Sequence, residues 1–160
     1  MPLLNEGDEF PPLTLTCVDG TKRSLPVAQS FQVVLFNRGH WCPSCKAQLQ
    51  NFQRELARLE AMGVRVFALS ADSRESALRM VDTLHLTFPV GYGLEVADAH
   101  ERFGVFAGRL PGGEAFVQGS GFVLSPRGTV LAALYSAGAT GRLSPDEVLA
   151  LVAQFRSPSR

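Results

Sequence analysis

The stretch Trp41-Cys42-Pro43-Ser44-Cys45 follows the apolar run 31–36, FQVVLF, across a short loop. The run is mostly β-branched and aromatic, which predicts a strand that is buried on both faces. Pro43 suits the first position of a helix, because a missing backbone N–H costs nothing there. The stretch therefore predicts a buried strand, a loop and a helix that begins at the first cysteine.

The helix after this stretch has one apolar face. Apolar residues recur at spacings of 4, 3, 4 and 3, at Cys45, Leu49, Phe52, Leu56 and Leu59. That period is typical of a helix with one buried side, and a glycine at position 63 is a good stop. Cys45 is therefore expected to be buried, and Cys42, in the first turn, is expected to face outward.

Two cysteines separated by two residues at a helix N-terminus point to redox chemistry. The thiolate is the reactive species, and the free N–H groups and the positive end of the helix dipole favour it. Arg38 and His40 are close in sequence and would add positive potential. We predict that Cys42 is the nucleophile that attacks a peroxide or a disulfide. Cys45 is then the resolving thiol, which closes a Cys42–Cys45 disulfide.

The remaining pattern predicts a mixed α/β sheet. Asp19-Gly20 between two β-prone runs indicates a hairpin, and Val64 to Leu69 is a second strong strand. Residues 70–84 form a predicted helix, 122–135 a late hairpin, and Ser144-Pro145 a helix start. Alternating strands and helices followed by a hairpin favour a mixed central sheet with helices on both faces.

Composition narrows the class of protein. The 160 residues are 46% hydrophobic and carry no net formal charge, which predicts one domain over 1–160 with neither a nucleic acid nor a membrane as partner. A net charge near zero makes self-association easier, so a homodimer is considered. Three cysteines, and an N-terminus without an apolar run, favour a cytoplasmic protein over a secreted disulfide scaffold.

Taken in chain order, these residues resemble the peroxiredoxin-like branch of the thioredoxin superfamily, the alkyl hydroperoxide reductase and thiol-specific antioxidant (AhpC/TSA) family. The resemblance covers nearly the whole chain and rests on residues 7–15 with Asp19-Gly20, 33–36, 41–45, 97–105 and 122–128. It implies a thioredoxin-like three-layer sandwich with an N-terminal β-hairpin extension. It also implies a thiol-dependent redox enzyme that is recycled by an external thiol reductant of the thioredoxin or glutathione type.

The chain departs from that family at the reactive site. Members usually carry Pro seven residues and Thr or Ser three residues before the peroxidatic cysteine, where this chain has Leu35 and Gly39. The position of the family's second essential arginine is Gly119. Arginines that could replace the missing donors are Arg38, Arg109 and Arg127.

The thioredoxin-type reductases offer an equally incomplete match. They usually place a cis-proline before the late strand, facing the two cysteines, but residues 119–121 contain no proline. Pro89 is the other candidate, although it stands at the wrong point in the order of elements. The substrate class, a peroxide or a protein disulfide, is therefore open at this stage.

Other functions also remain open. Two cysteines on such a frame can hold Cu(I) or Zn(II), and a structural zinc site would need Cys17 and the histidines to converge with them. A non-catalytic binding protein on the same frame is a further alternative. We expect no metal and no organic cofactor, and we favour Cys17 as a small core residue.

Overall fold

The computed structural model describes residues 3–156, in which nine strands and five helices lie. The strands are β1 Leu13–Thr16, β2 Lys22–Leu25, β3 Phe31–Phe36, β4 Val64–Leu69, β5 Val90–Gly91, β6 Ala107–Arg109, β7 Ala115–Val117, β8 Ser120–Leu124 and β9 Val130–Tyr135. The helices are α1 Pro43–Arg54, α2 Leu56–Ala61, α3 Arg74–Leu84, α4 Val96–Phe103 and α5 Pro145–Arg156.

Five strands form the central sheet in the order β5-β4-β3-β8-β9. β3 lies in the middle, parallel to β4 and antiparallel to β8, with Val33 opposite both Val66 and Val123. β8 and β9 form the predicted late hairpin. The sheet is therefore mixed, as the sequence predicts, and β3 is buried on both faces.

Alternate residues of β3 supply two separate apolar cores. Val33 and Leu35 face one core, which contains the buried residues of α1, α2, α3 and α5. Val34 and Phe36 face the other core, which contains α4 and the N-terminal hairpin. Because side chains alternate along a strand, one apolar run serves both layers. The predicted three-layer sandwich is confirmed.

The N-terminal hairpin is confirmed as well. β1 and β2 pair antiparallel, and Gly20 between them has a φ of +89°. That conformation suits a glycine in a tight turn. The residue after β1, Cys17, forms a bridge with Gly91 of β5, so the hairpin continues toward the edge of the central sheet.

One segment differs from the sequence prediction. The helix expected to run without a break divides at Glu55, between α1 and α2. Backbone hydrogen bonds still join Glu55 N to Asn51 O and Leu59 N to Glu55 O, so the apolar face stays continuous. The glycine-rich segment after α4 contains the hairpin β6–β7.

Pro89 is not a cis-proline. The peptide bond before Pro89 is trans, and the cis bond of residues 3–156 is Leu25–Pro26. No helix among those residues is long and apolar enough to span a bilayer.

Candidate active site

The loop between β3 and α1 is fastened to the end of β4. Asn37 is buried, and both its backbone N–H and its side-chain amide donate to Leu69 O, at 2.9 and 3.1 Å. His40 N donates to Asp72 Oδ2 at 2.8 Å, and the His40 ring lies 3.2 Å from Asp72 Oδ1. Since β3 and β4 are parallel, their carboxyl ends meet at one edge of the sheet, and there Asp72 holds the loop that leads to Cys42.

Gly39 makes room for the only tryptophan of the chain. Its φ is +148°, and a Cβ at this position would lie 2.5 Å from Trp41 Nε1 and 3.0 Å from Asp72 Oδ1. A side chain such as threonine therefore does not fit here. The missing hydroxyl, noted from the sequence, has a structural cause: the Trp41 indole fills the space that it would need.

Cys42 begins α1, as predicted. Its Sγ accepts a hydrogen bond from Cys45 N at 3.4 Å, which is the contact of a helix N-cap, and Pro43 follows at the first helical position. The expectation that Cys42 faces outward is wrong, because only 1% of the residue is exposed. The side chain of Arg142, 100 residues later in the chain, lies against it, with Nη2 3.8 Å from Cys42 Sγ.

Cys45 is fully buried on the apolar face of α1, as predicted. Two donors reach its sulfur, Arg38 N and Arg142 Nη2, each at 3.3 Å from Sγ. The two cysteines are unbridged and lie side by side in the first turn of α1. One guanidinium thus contacts both sulfurs.

Arg142 is the site residue that sequence reasoning missed. It precedes α5, and Gly119 packs directly against it, since a Cβ at position 119 would overlap Arg142 Cζ and Nε. Position 119 is where the family resemblance leads one to expect an arginine. The glycine in that place was the only signal in the sequence, and it did not indicate which distant residue fills the space.

The other candidate arginines differ in their roles. The Arg38 guanidinium packs against two rings that also contact each other, with Cζ 5.0 Å from the Trp41 centroid and 4.8 Å from that of Phe116. Through Phe116, the hairpin β6–β7 covers the loop beside Cys42. Arg109 is exposed and donates to Gly113 O, and Arg127 is exposed in the β8–β9 turn. Neither Arg109 nor Arg127 replaces the missing donors.

The surroundings of the two thiols shift their pKa values in opposite directions. Burial raises the pKa of Cys42, but hydrogen bonding with Cys45 and the positive side chains of Arg38 and Arg142 outweigh it, so the net pKa lies below the ordinary value. Burial also raises the pKa of Cys45, and here the donors from Arg38 and Arg142 do not compensate. Cys42 is therefore the thiol that ionises first.

The remaining cysteine and the histidines do not join the pair. Cys17 packs in the core beside α4 and the N-terminal hairpin, as expected, and burial raises its pKa. The His40 ring bonds to Asp72, and the His100 ring to Val105 O. Within residues 3–156 no group of three or more metal-ligating side chains gathers.

Known proteins resemble this chain over half of its length or more. The sequence model of the AhpC/TSA family matches residues 6–133. A peroxiredoxin of Treponema denticola is 28% identical over 155 residues, 96% of this chain and 74% of its own. The structure of a peroxiredoxin-like protein from Aquifex aeolicus superposes with a TM-score of 0.81 at 21% identity, covering 96% of this chain and 89% of that one. The thioredoxin-like protein YneN of Bacillus subtilis is 33% identical over 91 residues, 54% of this chain and 53% of its own.

Proposed function

The chain belongs to the AhpC/TSA family, and we propose that it reduces peroxides with Cys42 as the nucleophile and Cys45 as the resolving thiol. It is a thiol-dependent oxidoreductase of the peroxiredoxin type. The observation that carries the assignment of residues is the Cys42 sulfur at the N-terminus of α1, in contact with the Cys45 amide and with Arg142.

The first step consumes the peroxide. The Cys42 thiolate attacks the peroxide oxygen, so that an S–O bond forms and the O–O bond breaks. The leaving alkoxide takes up a proton and departs as an alcohol, or as water when the substrate is hydrogen peroxide, and Cys42 becomes a sulfenic acid. The lowered pKa of Cys42 supports this role, because the thiolate is the attacking species.

The second step closes the disulfide. The Cys45 thiolate attacks the Cys42 sulfur, the S–S bond forms, and hydroxide leaves and is protonated to water. A CxxC pair within one helical turn makes this step intramolecular and removes the need for a long conformational change. An external thiol reductant then reduces the disulfide by two electrons and returns both cysteines to thiols.

Burial favours a small substrate. Only 1% of Cys42 is exposed, and Arg142 and the half-buried Trp41 adjoin it. A peroxide needs only a small opening between these side chains, whereas a protein disulfide requires its own backbone to approach the sulfur. The external reductant attacks the Cys42–Cys45 disulfide. Arg142 and Trp41 must therefore move aside in the oxidised protein before the reductant can reach the sulfur. The homodimer and the cytoplasmic location expected from the sequence stay predictions.

Disulfide exchange with proteins is the second candidate. Two observations favour it: the CxxC spacing itself and the similarity to a thioredoxin-like protein over 91 residues. In that case, the Cys42 thiolate attacks a substrate disulfide, and Cys45 then releases the substrate as a thiol.

The test compares the two substrates on the reduced protein. Stopped-flow fluorescence of Trp41 follows oxidation by hydrogen peroxide, with Cys42→Ser as the inactive variant and Cys17→Ser as the matched control. We expect a rate many orders of magnitude above that of a free thiol, lost in Cys42→Ser and retained in Cys17→Ser. A peroxide rate like that of free cysteine, together with fast reduction of a protein disulfide, would replace the peroxidase assignment with the second candidate.

A further inference from the structure

Arg142 makes its shorter contact with the resolving cysteine. Arg142 Nη2 lies 3.3 Å from Cys45 Sγ and 3.8 Å from Cys42 Sγ. Cys42 has a further donor in the Cys45 backbone N–H and stands at the helix N-terminus, where free N–H groups favour an anion. Cys45 is fully buried, and Arg142 supplies its only charged donor among the described residues.

The segment that carries Arg142 is fastened at both ends. Ser136 N donates to Gly119 O at 3.0 Å, and the Ser136 hydroxyl bonds to Thr140 O. At the other end, Gln48 of α1 donates through Nε2 to Leu143 O at 2.9 Å. The guanidinium itself packs against Gly119, where a Cβ would collide with it. These contacts hold a cation over the first turn of α1 from outside that helix.

We infer that Arg142 is a catalytic residue of the resolving step, in which it stabilises the Cys45 thiolate and so sets the rate of Cys42–Cys45 closure. The inference rests on the proposed function of the two cysteines. Arg142 also lies beyond residues 6–133, the segment matched by the family model.

The negative charge moves from Cys42 to Cys45 during the reaction. Once Cys42 has become a sulfenic acid, it is neutral, and the Cys45 thiolate becomes the anion nearest to the guanidinium. Burial opposes that thiolate, so a charge-assisted hydrogen bond at 3.3 Å lowers the cost of forming it. Arg142 keeps its proton throughout, and the proton that Cys45 loses ends in the water formed when hydroxide leaves.

Slow closure of the Cys42–Cys45 disulfide leaves a detectable oxidation product at Cys42. A sulfenic acid that waits for its partner can meet a second peroxide and become a sulfinic acid, which closure to the disulfide prevents. We therefore expect loss of Arg142 to raise the fraction of Cys42 oxidised to sulfinic acid. A residue with only a structural role would slow the first step and closure together, and the ratio of the two rates would stay unchanged.

Two variants remove the contact in different ways. Arg142→Met removes the charge. Gly119→Ala keeps the charge and displaces the guanidinium, and it carries the test if Arg142→Met does not fold. The matched controls are Arg127→Met, which removes an exposed charge, and Gly138→Ala, where an added Cβ meets no atom within 4 Å. Neither Gly119 nor Gly138 has a positive φ, so alanine is compatible with both backbones.

Rapid-quench mass spectrometry separates the two steps after mixing with hydrogen peroxide. For Arg142→Met and Gly119→Ala we expect the ratio of closure rate to first-step rate to fall about tenfold, which corresponds to about 1.4 kcal/mol of barrier. We expect Arg142→Lys to restore part of this ratio and both controls to have the wild-type ratio. Equal losses in the two steps, or wild-type closure in both Arg142→Met and Gly119→Ala, would overturn the inference.

A second measurement avoids peroxide. In a Cys17→Ser background, Cys42 is converted to a mixed disulfide with a coloured aromatic thiol, and attack by Cys45 then releases that thiol. Closure slowed by Arg142→Met here supports the inference even if peroxide proves a poor substrate. Wild-type closure here contradicts it. The result therefore separates a failure of the Arg142 role from a failure of the peroxidase assignment.

Discussion

Replacing Gly39 by alanine should disturb both the stability and the reactive site of this protein. The backbone there has a φ of +148°, and the new Cβ would lie 2.5 Å from Trp41 Nε1. An L residue held in a sparsely populated conformation costs about 1–3 kcal/mol, and an extra methyl in a packed site costs a similar amount. We therefore expect Gly39→Ala to lose about 2–6 kcal/mol of unfolding free energy.

The matched control is Gly63→Ala. Gly63 also has a positive φ, +80°, but an added Cβ there meets nothing within 4 Å. It should therefore show the cost of the backbone alone, about 1–2 kcal/mol, without the collision. Urea unfolding followed by circular dichroism gives both free energies, and because Trp41 is the only tryptophan, its emission reports the displacement in the folded state.

The two variants should also differ in reactivity. Trp41 directly precedes Cys42 and stacks against Arg38, so its displacement should slow the reaction of Cys42 with peroxide in Gly39→Ala but not in Gly63→Ala. A Gly39→Ala protein that unfolds no more easily than Gly63→Ala, with unchanged Trp41 emission, would refute the packing argument for the absent threonine.

Three further outcomes are expected. The pKa of Cys42 lies below that of an ordinary thiol, and the pKa of Cys45 lies above it. Mass-resolved alkylation across a pH series should therefore show Cys42 reaching half its maximal alkylation rate at a lower pH than Cys45. The reverse order would contradict the assignment of the nucleophile. Asp72→Ala should lower the unfolding free energy by about 0.5–1.5 kcal/mol, measured in urea, because it removes the hydrogen bonds that Asp72 accepts from the exposed His40. Phe122→Ala should lower it by about 3–5 kcal/mol, whereas Phe155→Ala, 47% exposed, should change it by less than about 0.5 kcal/mol; equal losses would contradict the burial pattern.

Local patterns in the sequence predicted most of the framework. The apolar run of β3, the helical spacing from Cys45 and the Asp19-Gly20 turn each depend on neighbours within a few residues, and each is confirmed. The α5 start at Ser144-Pro145 is confirmed for the same reason: Ser144 and Glu147 cap each other's backbone N–H groups.

The features that were missed depend on contacts distant in sequence. The helical period predicted which cysteine faces the core, but it carried no information about Arg142, which covers the other cysteine from 100 residues away. The glycines of residues 107–117 are compatible with a loop as well as with a hairpin, so the sequence did not decide between the two, and the structure has the hairpin β6–β7. Its role follows from Phe116, which packs against Trp41 and Arg38 in three dimensions.

Peptide mapping after oxidation shows whether Cys42 and Cys45 form the redox pair. The reduced protein is treated with one equivalent of hydrogen peroxide, the remaining thiols are alkylated, and the digested peptides are identified by mass. We expect an intramolecular Cys42–Cys45 disulfide and an alkylated, unoxidised Cys17. A disulfide that joins Cys42 to Cys17, or to Cys42 of a second chain, would rule out this pair.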